Sequence, residues 1–405
     1  MPRVVNKTNK FSDLISPRRD INRPIYNWHA FKHSYSKDLV DFFIKEFNLQ
    51  KGSWVLDPFC GGGTTLLASK QAGLNARGYD ILPFSVFLSN VKTDNYAIET
   101  LKSTRKAIEA KKVIRNPTIS LPDIDIIRKA FTTGVARELI AIKHLINDIG
   151  DTTSRSFFNL ALLSILESVS NTTKAGGFLR MVERNINPSK VRDSFLKRVD
   201  SMIADIVAAP STPKVIVNAS IGDARSLKIN RLYDAIITSP PYPNRHDYTR
   251  IYALEMIFDF INTNDDLKAI RYKTLRSHVE ARKRYNVVGY SQTTELARLI
   301  ERVDDNGVNN PRVLEMIEGY FEDMFLVLSQ MYESLKKKGK IALVVSNVRF
   351  AGINIPVDRI LAEIGQQVGL KPKGIWIARY RGNSAQQMKE YSRMPSRESI
   401  VLWEK

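Results

Sequence analysis

The sequence predicts an α/β fold: an open, largely parallel sheet with helices on both faces, interrupted by a long helical insertion and closed by two C-terminal strands. Three observations carry this expectation. Apolar or β-branched runs end at a carboxylate or a turn and give way to helical periodicity, as at Trp54–Leu56, Ala76–Ile81, Lys214–Val217 and Asp234–Ile237. Two of these runs lead into loops of unusual backbone, consecutive glycines at 61–63 and consecutive prolines at 240–241. Between them, residues 97–208 show apolar stripes at helical spacing and no strand-like stretch.

At 405 residues the chain can bury a full α/β core and carry further segments. Lys and Arg total 61 against 42 Asp and Glu, a formal net charge of +19. Such an excess suits a polyanionic partner, because neutralised phosphates supply most non-specific affinity for nucleic acid. A single cysteine, Cys60, excludes an internal disulfide and a cysteine-built zinc site, and fits a reducing cytoplasm. No apolar run reaches membrane-spanning length and the start lacks a signal-peptide core, so a soluble, cytoplasmic protein without a membrane partner is expected.

In order, residues 1–25 are polar, basic and proline-punctuated, an N-terminal arm or a loop packed on the body. Ser36 is placed to cap a helix whose apolar face is Leu39, Val40, Phe43 and Ile44. The glycine loop enters a helix through Leu66, Leu67 and Ala68, with Thr64 or Thr65 as its cap. After the strand Ala76–Ile81 and a helix at 84–93, three apolar stripes (Ile124 to Phe131, Leu139 to Ile146, Leu160 to Leu166) and a helix at 189–208 make up the insertion. Its Lys174, Arg180, Arg184, Lys190 and Arg192 fit either a DNA-binding element or the solvated faces of a scaffold. Residues 249–263 form an aromatic-rich helix and 312–335 a long amphipathic one, whose C-terminal dipole the lysines at 336–338 offset. A strand at 341–345, a helix at 355–368 and strands at 374–380 and 399–403 complete the chain.

The expected divisions are an arm (1–25), the first half of the core (26–96), the helical insertion (97–210), the second half (211–260), a basic insertion (261–311) and the C-terminal part of the core (312–405). In the basic insertion, Arg271, Lys273, Arg276, Arg282, Lys283 and Arg284 interleave with Tyr272 and Tyr285 as candidate phosphate contacts.

Glycine at 61 and 63 allows positive φ and keeps Cβ atoms out of a ligand's path. Asp80, at a strand's C-terminal end about 20 residues further on, is placed to accept hydrogen bonds from the two hydroxyls of a ribose. The stretch Asp57-Pro58-Phe59-Cys60-Gly61-Gly62-Gly63-Thr64-Thr65, together with Ser239-Pro240-Pro241-Tyr242, resembles the cofactor and catalytic loops of the amino-group DNA methyltransferases. These enzymes use S-adenosylmethionine (AdoMet) to methylate the exocyclic nitrogen of cytosine or adenine. Here Gly62 stands between the two glycines of the family's loop. The resemblance covers residues 26–93, 214–260 and 312–405, and implies a Rossmann-like AdoMet methyltransferase sheet with a C-terminal antiparallel hairpin and no metal.

That resemblance implies roles residue by residue. Asp57, Pro58, Phe59, Gly61, Gly63, Thr64 and Thr65 belong to the cofactor loop, with Asp57 near the amino acid part of AdoMet. His33, Ser34 and Tyr35 stand near its methionine end, Asp80 and Ile81 at the ribose, and Asp223 and Ala224 at the adenine. The Ser-Pro-Pro-Tyr form is the one most often associated with N4 of cytosine, although cytosine and adenine chemistry share a pocket.

The amino nitrogen of either base is a poor nucleophile because its lone pair is delocalised into the ring. Hydrogen bonds to acceptors draw it towards tetrahedral geometry, and Ser239 and the Pro240 carbonyl are the expected acceptors, stiffened by Pro241. Tyr242 offers a ring on which an extruded base can stack. Transfer then needs no covalent enzyme intermediate, and positioning and electrostatics carry the rate. Arg245, Arg381 and the basic connection from Arg381 to Arg397 are further expected nucleic-acid contacts. The implied partners are double-stranded DNA and a cognate restriction endonuclease. Rival readings are an N6-adenine enzyme, an RNA base methyltransferase, a protein glutamine methyltransferase (whose Asn-Pro-Pro-Tyr differs at Ser239) and a nucleic-acid-binding protein with a decayed fold.

Overall fold

The computed structural model describes residues 2–111, 121–209, 213–308, 310–382 and 395–405. Its strands in chain order are β1 (Val4–Asn6), β2 (Trp54–Asp57), β3 (Asn75–Asp80), β4 (Thr172–Ala175), β5 (Phe178–Met181), β6 (Val217–Ile221), β7 (Tyr233–Thr238), β8 (Leu335–Ser346), β9 (Val348–Phe350), β10 (Ile353–Ile355), β11 (Lys371–Arg381) and β12 (Ser396–Glu404). Eight of them form one sheet in the order β1-β11-β12-β8-β7-β2-β3-β6. Val55, Leu56, Ala235, Ile236 and Ile237 are buried, as expected of parallel strands covered by helices on both faces.

From β2 the chain winds outward through β3 to β6, all parallel, then returns to the other side of β2 as β7 and continues outward to β8. The winding direction therefore reverses between β2 and β7, with Val55 beside Ala235 and Leu56 beside Ile236. The carboxyl ends of two such strands flank a crevice, which is where open α/β sheets bind ligands. At the far side β12 lies antiparallel between β8 and β11, the C-terminal hairpin the sequence resemblance implies. This sheet is a Rossmann-like α/β fold, as the sequence resemblance implies.

Helices pack on both faces. The insertion helices join Trp28, the helix Pro83–Thr93 and the helix Ala253–Asp259 in one apolar core. On the sheet itself, Lys37–Glu46 and Thr64–Gln71 pack on one face against Val55, Ile237, Ala342 and Val344. Arg312–Ser334 and Val357–Gln367 cover the other against Leu56, Ile236, Ile341 and Leu343. Among the described residues no helix is long and apolar enough to cross a membrane.

Several local expectations are corrected. The N-terminal arm supplies a strand, β1, which pairs in parallel with β11 at the sheet edge. The insertion is not wholly helical, since β4 and β5 form a hairpin of their own. The strand expected at 214–217 lies at Val217–Ile221, where Arg77 on β3 donates to the Asn218 and Ser220 side chains. Ser36 stands at the N-cap but its hydroxyl donates to the Leu14 carbonyl instead. The aromatic helix is two short ones, Tyr248–Ile251 and Ala253–Asp259, and the basic insertion carries two helices, Asn264–Lys273 and Thr294–Asp305. The lysine run already belongs to β8, where Lys336 pairs with Asp234 at 2.8 Å rather than with a helix end.

Candidate active site

The glycine loop takes the shape its residues require. Gly61 and Gly63 have φ of +47° and +78°, Gly63 being the residue that precedes the helix Thr64–Gln71. A Cβ on Gly61 or Gly62 would stand 2.9 Å from the Phe31 side chain, and one on Gly63 2.9 Å from Ser89 Cα. Phe31 in turn stacks on Tyr252 with ring centres 4.6 Å apart. Thr64 and Thr65 are therefore not caps, because glycine already occupies that position. Thr64 Oγ1 lies 3.0 Å from Ser34 Oγ, and Thr65 donates to the Ile237 carbonyl on β7.

Two carboxylates end β2 and β3. Asp57, 2% exposed, accepts from the Thr238 hydroxyl at 2.6 Å and from Phe59 N–H at 3.1 Å. Asp80 accepts from Gly61 N–H at 3.0 Å and Leu82 N–H at 2.9 Å. Burial pushes both carboxyls up to about 6. The Asp57–Thr238 bond matters most for the architecture, since it ties the residue before the glycine loop to the residue before Ser239.

The two loops meet. One chamber is lined by Asp57, Pro58, Phe59, Gly61 and Thr64 of the glycine loop, by Asp80 and Ile81, and by Ser239 and Pro241 of the proline loop. His33, Ser34 and Tyr35 close one side, and Asp223 and Ala224 another. A second, larger chamber of about 610 Å³ shares Ser239, His33, Ser34 and Tyr35 with the first and adds Tyr242, His246 and Arg381. Ser239 Oγ lies 3.2 Å from Tyr242 Oη, and burial holds the Tyr242 hydroxyl well above its ordinary range. Pro240 is buried and lines neither chamber, whereas Ser239 lines both. Gly63 and Thr65 shape the loop from outside the first chamber.

Several of the other expected residues have partners of their own. Asp223 is engaged by Arg225 at 2.8 and 2.9 Å and by the Tyr285 hydroxyl; burial pushes its carboxyl up, but these partners outweigh it and hold it below the usual range. Arg276 is buried, with its guanidinium bound to Asp323 and Glu322, so it is a structural cation and not an open phosphate contact. Arg271 likewise binds Asp247 at 2.8 Å and the Thr249 hydroxyl. Lys273 lines the first chamber. Arg245, Arg282, Lys283, Arg284 and Arg381 remain exposed, Arg282 over the Tyr272 ring and Arg381 beside Glu398. The connection beyond Arg381 lies for the most part at 383–394, outside the described residues.

Sequence reasoning missed Phe31, Tyr248, Thr274, Leu275, Ser277 and His278, all of which line the first chamber. It also missed Lys92, whose buried ammonium donates to the Gly62 carbonyl at 3.1 Å and is pushed down to about 7 by burial. A lysine on an otherwise apolar helix face was the available signal.

The two chambers adjoin along a wall that includes His33, Ser34, Tyr35 and Ser239, an arrangement with room for two bound molecules side by side. Comparison with known proteins gives the family. Residues 4–89 match the family described as DNA methylase (N6_N4_Mtase). The chain is 31% identical to the Type II methyltransferase M.BsoBI of Geobacillus stearothermophilus, covering 99% of this chain and 90% of that protein. It is 28% identical to M.AvaI of Nostoc sp., with 97% and 89% covered, and 28% identical to M.MvaI of Kocuria varians, with 76% and 73% covered. The chain belongs to the amino-group DNA methyltransferases of the type II restriction-modification class, with AdoMet as methyl donor.

Proposed function

We propose that this enzyme methylates N4 of cytosine in double-stranded DNA, with the base extruded into the larger chamber. The observation that carries the reading is the position of Ser239, at the wall both chambers share. AdoMet supplies a methyl group made electrophilic by its sulfonium. The first chamber fits it: the glycine turn leaves no Cβ in the way, and each Asp80 oxygen accepts one amide and keeps a lone pair for a ribose hydroxyl. His33, Ser34 and Tyr35 line the side expected for the methionine end.

On the other side, Ser239 Oγ and Tyr242 Oη are 3.2 Å apart and either hydroxyl can donate; with Ser239 as donor, its lone pairs are left for the base's amino group. Accepting from that group localises the nitrogen lone pair and directs it towards the donor chamber. The Tyr242 ring supplies a stacking face, and Arg245 and Arg381 reach flanking phosphates. Because the relatives are type II enzymes, we further propose a cognate endonuclease that acts at the same site. Mass spectrometry of nucleosides from plasmid treated with enzyme and AdoMet tests the base: N4-methyldeoxycytidine is expected. N6-methyldeoxyadenosine alone would refute cytosine.

A further inference from the structure

The helical insertion carries one element that the transfer chemistry does not use, the hairpin β4–β5. Ala175 pairs with Phe178, so the turn is Gly176-Gly177 alone, with Gly176 at φ +59°. Such a two-residue turn is the tightest common link between antiparallel strands. The root of the hairpin is fixed. Lys174 is buried against Glu255, which also bonds His29, and Lys32 Nζ donates to the Lys174 carbonyl at 2.6 Å.

Its tip lies at the base chamber. Gly176 lines the larger chamber, and a Cβ on Gly177 would stand 2.8 Å from the His246 ring. Just past the tip, apolar side chains turn to solvent. Phe178 is 54% exposed and Met181 45%, whereas Leu179 packs against the helical core. Arg180 is exposed between them, on a chain of net charge +19. Water is a poor partner for this tip. A duplex is a good one, because the major groove admits a two-stranded ribbon and apolar side chains part base steps where a duplex is opened.

We propose, resting on the reading that the target base leaves the duplex, that β4–β5 enters the DNA at the target pair. Phe178 occupies the gap left in the stack, and Arg180 faces the neighbouring phosphates. The hairpin is then the device that holds the duplex open while Ser239 engages the extruded base.

The test compares wild type, Phe178→Ala and Phe178→Trp on two duplexes carrying the enzyme's own site, one matched and one with the target base mispaired. Phe178→Ala is expected to lose about ten- to hundredfold in kcat/KM on the matched duplex, the scale of aromatic stacking on a base. It should lose little on the mispaired duplex, where unstacking costs least, and Phe178→Trp should restore matched activity. Because Phe178 is exposed, thermal unfolding should be the same for all three. Matched-duplex activity of Phe178→Ala equal to wild type, or equal losses on both duplexes, overturns the inference while leaving the methyltransferase reading intact. No extrahelical base in wild-type complexes, read by 2-aminopurine fluorescence at the target position, would refute the reading it rests on.

Discussion

Replacing Thr238 by valine removes one hydroxyl and keeps the side chain's shape. Thr238 is fully buried, and that hydroxyl is the donor that binds Asp57 at 2.6 Å. A hydrogen bond to a charged group contributes about 1.5–3 kcal/mol. Asp57 keeps the Phe59 amide, so Thr238→Val should fold but lose about 1.5–3 kcal/mol at pH 8. The pH dependence follows from burial, which raises the folded carboxyl to about 6, above its unfolded value of about 4. In that window the folded chain binds more protons than the unfolded one, so this group's contribution to stability falls as pH rises from about 4 to about 6 and then levels off. Without the Thr238 donor the folded pKa rises further and the window extends to higher pH. The gap between variant and wild type should therefore be smallest near pH 4 and widest above pH 7. Urea denaturation followed by circular dichroism across this range measures it. Equal stability at pH 8, or a gap that narrows as pH rises, would refute the idea that this bond ties the loops together.

Three further outcomes are expected. Ser239→Ala should bind AdoMet and DNA as wild type does, by calorimetry and gel shift, yet lose at least about 100-fold in single-turnover methylation; weakened AdoMet binding would assign Ser239 to the cofactor instead. Asp80→Asn sets an amide NH₂ against either Gly61 N–H or Leu82 N–H, and should weaken AdoMet about tenfold or more; an unchanged Kd in calorimetry rejects that role. Asp323→Ala removes the fully buried carboxylate shared by Arg225 and Arg276, and should destabilise the fold by about 3–5 kcal/mol, measured by denaturant titration; a loss under about 1 kcal/mol would show the cluster to be dispensable.

What was legible in the sequence was local. The β2 run, the triple glycine and the carboxylate at Asp80 each declare themselves within a few residues, because strand burial and positive φ restrict residue choice at once. The antiparallel C-terminal pair was legible only through family resemblance. What was missed depends on distant partners. Arg276 reads as an exposed phosphate contact until the helix Arg312–Ser334 brings Asp323 beside it, 47 residues away in sequence. The three residues of β1 are too few to register as a strand, and only their alignment with β11 makes them one. The hairpin β4–β5 hides behind polar Thr172, Thr173 and Lys174, although Gly176-Gly177 between two short extended runs was a usable turn signal. Thr64 and Thr65 look like caps, but the helix begins from a left-handed glycine, leaving their hydroxyls to reach Ser34 and β7.

The central claim is that donor and base occupy adjoining chambers at the switch between β2 and β7, with Ser239 on the wall between them. A crystal structure with duplex DNA and an AdoMet analogue bearing an amine in place of the methylsulfonium tests it directly. The account predicts the analogue's ribose hydroxyls on Asp80, its amine facing the chamber that holds Tyr242, and a cytosine amino group within hydrogen-bond distance of Ser239 Oγ. An analogue seated away from the glycine loop, or a base held on the far side of the sheet, would contradict it.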